Sequence, residues 1–389
     1  MALFTHGFRP FFLMSALMAP VAVGVWVLAL SGLALPDGPL PPMRWHAHEL
    51  LAGFVAAAMI GFLMSAIPNW VGRRGYSGAP LVALACVFLA ARFAMLPGSP
   101  VPIGVAAVLA LVPLPATLLL VLPALVKAKA PRLFGPPALV LVFWSGQLMM
   151  LAEEAGWSAA PGWATGQLLM GDAALLLVVL IGGRIVPSFT LNALRKTPQP
   201  AEARPFPGVD RGAILAVAAV ALVDAVAPGS VAAGLVAALA AVLVALRLSR
   251  WNGSRTLRWP ILWVLHLAYA LIPLALAIKA ASLLAGATWA SAWLHLQLAG
   301  AVSLMIVAVM TRATLGHTGR ALVVSPATVA AYVLLLAAAL LRAFSGTVLA
   351  EDDRIGLVAA GLCWVGAFVL LLAVYAPMLL GPRADAAPG

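Results

Sequence analysis

The chain has 389 residues, 64% of them hydrophobic and only 9% charged, with a mean hydropathy of +1.08. A soluble domain carries about 25% charged residues, so this composition excludes a water-soluble enzyme or binding module and describes an integral membrane protein. The excess of 23 Lys+Arg over 12 Asp+Glu points, by its placement between apolar runs, to membrane topology and not to a nucleic-acid partner.

The apolar runs are about 20 residues long and rich in Leu, Ala and Val, which suits spanning helices; barrel strands would be near 10 residues and alternating. Twelve spans are expected near 11–33, 46–67, 79–97, 102–126, 135–155, 165–187, 212–228, 230–248, 260–283, 289–310, 325–348 and 356–380. The fold class is thus an all-α membrane protein with about twelve transmembrane helices, one polytopic domain over 1–389. Arg73 and Arg74, Lys127, Lys129 and Arg132, Arg195, Lys196, Arg204 and Arg211, Arg250, Arg255 and Arg258, Arg320, and Arg383 fall on one side. The opposite connections hold little beyond Arg44 and Arg354, with Asp37 and the run Glu351-Asp352-Asp353. The positive-inside rule then puts both termini in the cytoplasm. The N-terminus lacks a small-residue cleavage site after a short apolar core, so no removed signal peptide is expected. The longest connection, 188–211, is too short and Pro-rich to fold alone. Cys86 and Cys363 stand far apart in apolar runs, which excludes an iron–sulfur cluster or a covalent haem motif.

The second span opens with Trp45-His46-Ala47-His48-Glu49. Ionisable groups at membrane depth usually face a bundle interior, pair or bind something, so this mouth, on the outer side, is the first site candidate. On an α-helix, positions 46 and 48 are about 200° apart and 46 and 49 about 60° apart. His46 and His48 therefore face different neighbours unless the first turn is unwound, and Glu49 is expected beside His46, orienting its ring.

An internal repeat emerges when spans 2, 6 and 10 are aligned on a glycine: Trp45 to Gly53, Trp163 to Gly171 and Trp293 to Gly300. Five residues before each glycine stand His48, Gly166 and His295. The simplest account is three four-helix units, 1–126, 127–248 and 249–389. His48 and His295 then lie at matching depth, and two unpaired imidazoles in an apolar bundle are costly. Either they ligate one non-covalent haem axially, with His46 in reserve or as ligand to a second metal, or they are separately satisfied by backbone or water.

A second group is expected at the cytoplasmic end: His266 early in span 9, His317 just past span 10, and His6 ahead of span 1. Three histidines from separate elements suit copper or zinc; the alternative is three separately satisfied imidazoles. Arg184 and Arg312 end spans 6 and 10 at similar depth, where guanidiniums either pair with carboxylates such as haem propionates or serve as flanking charge. Glu153, Glu154 and Asp172 either pass protons or bind a cation or, as expected first, are solvated near the interface, and Lys279 and Asp224 are expected to snorkel.

The twelve helices in three arcs, with histidines on the second and tenth, resemble the catalytic subunit of haem–copper oxidases, where those helices carry both axial ligands of a haem. The dinuclear-centre histidines of that family have no counterpart on spans 6 and 7. A resemblance covering nearly the whole chain rests on Phe8-Arg9-Pro10-Phe11-Phe12, Trp45-His46-Ala47-His48-Glu49, Gly61-Phe62 through Pro68-Asn69-Trp70, Gly183-Arg184-Ile185-Val186-Pro187-Ser188-Phe189-Thr190, and Met310-Thr311-Arg312-Ala313-Thr314-Leu315-Gly316-His317-Thr318-Gly319-Arg320. In that order these motifs resemble the NnrS family. The resemblance implies a haem- and copper-containing bacterial inner-membrane protein linked to nitric oxide metabolism and nitrosative stress, with haem of b type, nitric oxide or a related small molecule as ligand, and a respiratory or denitrification partner. Rival readings are a haem or copper transporter and a regulatory or assembly partner of a respiratory reductase.

Overall fold

A computed structural model describes residues 2–158, 162–195, 197–202, 205–290, 292–345 and 354–385. Twelve long helices carry the fold, and no strand occurs among the described residues. They are α1 Phe8–Leu30, α2 Pro42–Trp70, α3 Ala79–Ala94, α4 Ile103–Lys127, α5 Pro131–Glu154 and α6 Trp163–Leu194. There follow α7 Pro207–Val226, α8 Val231–Ser249, α9 Pro260–Ala285, α10 Thr288–His317, α11 Pro326–Phe344 and α12 Arg354–Leu380. Ten of them are long and apolar enough to cross a membrane; the others are α3 and α7. The protein is a multi-pass membrane protein.

Local chemistry sets the helix ends. Proline opens α2, α7, α9 and α11, where its fixed φ suits a first turn and its missing N–H costs nothing. The Ser230 and Ser325 hydroxyls accept from the Ala233 and Thr328 amides and cap α8 and α11. Gly286, at φ +62°, closes α9 in the left-handed conformation that glycine adopts without strain. The segment expected as a connection from residue 188 begins as helix, because α6 runs unbroken through Pro187 to Leu194. A membrane helix tolerates proline when neighbours satisfy the freed carbonyl.

The helices group into two compact units. The first comprises Met1–Met170, Ala313–Arg320 and Phe368–Gly389. Its core is aromatic: Phe11 meets Phe88 edge-on at 6.2 Å, and Phe54 meets Phe368 at 5.4 Å. The motif Phe8-Arg9-Pro10-Phe11-Phe12 is a packing device here. A Cβ on Gly61 would come within 2.8 Å of the Phe12 ring, so glycine lets α1 and α2 approach. Arg9, 1% exposed, donates to the Leu379 carbonyl at 2.9 Å and the Gly381 carbonyl at 2.6 Å, satisfying acceptors at the C-terminal end of α12.

The second unit comprises Gly171–Arg312 and Ala321–Ala367. In it Gly182 and Gly183 seat other side chains: a Cβ on Gly182 would press on the Tyr269 ring, and one on Gly183 would occupy the place of the Arg247 guanidinium. Buried Arg247 donates to the Asp210 carboxylate at 2.9 Å, the Val179 carbonyl at 2.9 Å and the Tyr269 hydroxyl at 3.0 Å.

Candidate functional site

Two helices break their α-helical pattern in the same way. Glu49–Val55 in α2 and Leu296–Val302 in α10 are π-helical, seven residues each. Gly53 and Gly300 are the fifth residue of each turn, and His48 and His295 are the last residues before it. The glycine register read from sequence therefore marks a shared backbone distortion. Helix α6, aligned on Gly171, is α-helical throughout and lacks it. A π turn widens the helix and loosens its carbonyls, and it occurs often at functional sites. In each case a serine hydroxyl answers: Ser15 donates to the Phe54 carbonyl at 2.9 Å and Ser303 to the Leu298 carbonyl at 2.7 Å.

In the first unit the π turn begins a buried polar chain. His48 and Glu49 are both 0% exposed. His48 Nδ1 lies 2.9 Å from Glu49 Oε1, and Arg92 donates to that same oxygen at 2.7 Å. The Gln147 amide nitrogen lies 3.0 Å from the Ala110 carbonyl and 3.3 Å from His48 Nε2. One assignment satisfies all of these contacts: Nδ1–H donates to the carboxylate and Nε2 keeps its lone pair toward the amide N–H. Glu49 and Arg92 then balance in charge beside a neutral imidazole. Glu49 Oε2, Arg92 Nε and Trp45 Nε1 are buried with no hydrogen-bond partner. Gly53 leaves room for the carboxylate, since a Cβ there would sit 3.3 Å from Glu49 Oε2.

This corrects the expectation that Glu49 orients His46. Arg92, from α3, holds the carboxylate on the His48 side, and the π turn starting at Glu49 removes the ideal α-helical angles on which the expectation rested. His46, half-buried, stacks on Trp26 at 5.3 Å with its Nδ1 3.3 Å from the Ala22 carbonyl. Glu153 and Glu154 are not simply solvated either. Both pair with Arg44, and Glu153 also accepts from the Trp163 amide at 2.6 Å.

The second unit holds a different buried group. Asp172, Asp224, Lys279 and Gln297 are 1%, 2%, 1% and 0% exposed. Lys279 pairs with Asp224 and stands 4.4 Å from the centre of the Trp293 ring, and Gln297 donates to Asp172 Oδ1 at 3.1 Å. The expectation that Lys279 and Asp224 snorkel, and that Asp172 is solvated, is overturned. Four helices turn these groups toward one another, and mutual pairing replaces access to water. His295, half-buried, precedes the π turn on which Gln297 sits.

The remaining candidates are divided. His266, in the second unit, is buried and its Nε2 lies 2.8 Å from the Thr190 hydroxyl. Arg184 is exposed, and the Arg312 guanidinium lies 3.9 Å above the Phe189 ring. In the first unit the exposed His6 and His317 flank Phe8, with ring centres 6.0 Å and 5.3 Å from it. Desolvation, then the charges of Arg9, His317 and Arg383, hold the His6 imidazole below its ordinary pKa. Among the described residues, no three His, Cys, Asp or Glu side chains are gathered to hold a metal ion.

The fold and these clusters define a polytopic, all-helical membrane protein with ionisable groups buried inside its helical units. The chain belongs to the NnrS family, whose model, described as NnrS protein, matches residues 2–383. No curated protein matches the chain.

Proposed function

We propose that this is a haem-binding protein of the bacterial inner membrane acting in nitric oxide metabolism or nitrosative-stress resistance, in which His48 Nε2 would hold the haem. The observation that carries the reading is the buried Arg92–Glu49–His48 chain at the start of a π turn. A ligating histidine usually donates its other ring N–H to a carboxylate, which fixes the tautomer and raises the basicity of the ligating nitrogen. Glu49 does this for His48, and Arg92 keeps the carboxylate charged at a depth where a lone carboxylate would take up a proton. Gln147 faces the Nε2 lone pair with a neutral N–H at 3.3 Å, a contact that haem iron would replace without moving a charge. The donor chemistry at His48 thus fits haem. Haem held there would supply nitric oxide binding or electron transfer. Copper is a different case: a protein copper site takes several side-chain ligands, and the described residues gather no such set, so no step is assigned to it.

The test is an optical spectrum of the purified protein, with and without dithionite and then nitric oxide. The proposal expects a b-type spectrum that shifts on addition of nitric oxide to the reduced protein, and its weakening in Glu49→Gln. A purified protein with no haem spectrum overturns it. The inner-membrane orientation, argued from the loop cations, is tested separately. A reporter fused after residue 389 should read as cytoplasmic and one inserted near Asp37 as periplasmic.

A further inference from the structure

The Asp172 group of the second unit has unequal charges. Two carboxylates, Asp172 and Asp224, face one ammonium, Lys279, and all three side chains are at most 2% exposed. Asp224 is matched by Lys279. Asp172 accepts from a neutral amide, Gln297, at 3.1 Å, and no cation among the described residues is paired with it. Two oxygens in the group, Asp172 Oδ2 and Gln297 Oε1, are fully buried with no partner. If every group carried its aqueous charge, one negative charge would be buried uncompensated, which costs far more than binding a positive charge. Two carboxylates facing one buried ammonium cannot both stay charged without a large cost.

The geometry points to a single-proton site inside the membrane, in which Asp172 takes one proton from the aqueous phase and presents it to Asp224 while Lys279 stays charged. The step is Asp172–COO⁻ plus H⁺ giving Asp172–COOH, with no electron transferred and no bond broken besides that to the delivering water. The groups acting on Asp172 come from three other helices: Asp224 from α7, Lys279 from α9 and Gln297 from α10. Helix α6 carries Asp172 itself about 13 Å along its axis from Trp163, at 1.5 Å per residue. In its deprotonated form the site has the cost of a buried charge, and in its protonated form it is neutral. It is therefore suited to loading and releasing a proton in step with a charge change elsewhere in the protein. This inference does not depend on haem binding at His48.

Infrared difference spectroscopy on the full-length protein in detergent, as a function of pH and in H₂O against D₂O, reads a protonated carboxyl directly. The expected result is one buried C=O stretching band in the wild type that shifts in D₂O and disappears as pH is raised. It should be lost in Asp172→Asn, which keeps the shape and the Gln297 contact. Gln297→Leu should shift the band without removing it. No such band in the wild-type protein, or an unchanged band in Asp172→Asn, overturns the proposal. So does a band that vanishes at constant pH when sodium chloride replaces choline chloride, since the site would then be a sodium site.

Discussion

Two buried polar clusters, one in each unit, answer the same problem in opposite ways. Around His48 the charges cancel: one carboxylate, Glu49, meets one guanidinium, Arg92, and the same carboxylate oxygen faces the imidazole. Around Asp172 they do not, because two carboxylates share one ammonium. The lesson is that a π turn flanked by histidine is not a site by itself. Both α2 and α10 have one, but in α2 the first residue of the turn is the acid Glu49, whereas in α10 it is Leu296 and the polar residue, Gln297, comes one position later. A one-residue displacement separates an acid paired with a histidine from an amide paired with an acid.

Breaking the balanced cluster should have the larger effect. Arg92→Leu leaves Glu49 buried without its cation while the His48 N–H that it still accepts opposes its protonation, and should cost about 3–5 kcal/mol, read as a lowered unfolding midpoint in detergent. Arg92→Leu combined with Glu49→Gln should recover most of that loss, and a double variant no better than the single would show that Arg92 acts by packing. Lys279→Met in the unbalanced cluster should cost less, about 1–3 kcal/mol, because the freed Asp224 can take up a proton in its turn. An equal loss in the two variants would remove the distinction between the clusters.

The π turns themselves give a finer contrast. Ser15→Ala and Ser303→Ala each remove a hydroxyl from a π-turn carbonyl and should each cost about 1 kcal/mol, with any haem spectrum changing only for Ser15→Ala, whose turn follows His48. At the small end, Asp385→Ala breaks an exposed pair with Arg383 and should leave the unfolding midpoint unchanged.

Much of the fold was legible in the sequence, since twelve apolar runs are a direct reading of the solvent. Most boundaries fall within a few residues of the observed helices; the ends that moved most, of α6 at Leu194 and α10 at His317, lie in polar stretches that hydropathy reads as loop. The site was legible in part. His48 and Glu49 stood out as charge at membrane depth, and the glycine register singled out the two helices that carry π turns. Arg92 and Gln147, which complete the first cluster, were visible only as polar residues inside apolar runs, with nothing to say which histidine they faced. The Asp224–Lys279 pair was misread because two ionisable residues 55 positions apart carry no local sign of contact. Only the packing of α7 and α9 on α8 brings them together.

The most direct test of the account is haem content per polypeptide in purified His48→Ala against wild type, with membrane insertion checked in parallel. The account predicts that the variant inserts normally and loses or converts its haem spectrum. Full haem content with an unchanged spectrum in His48→Ala would contradict it.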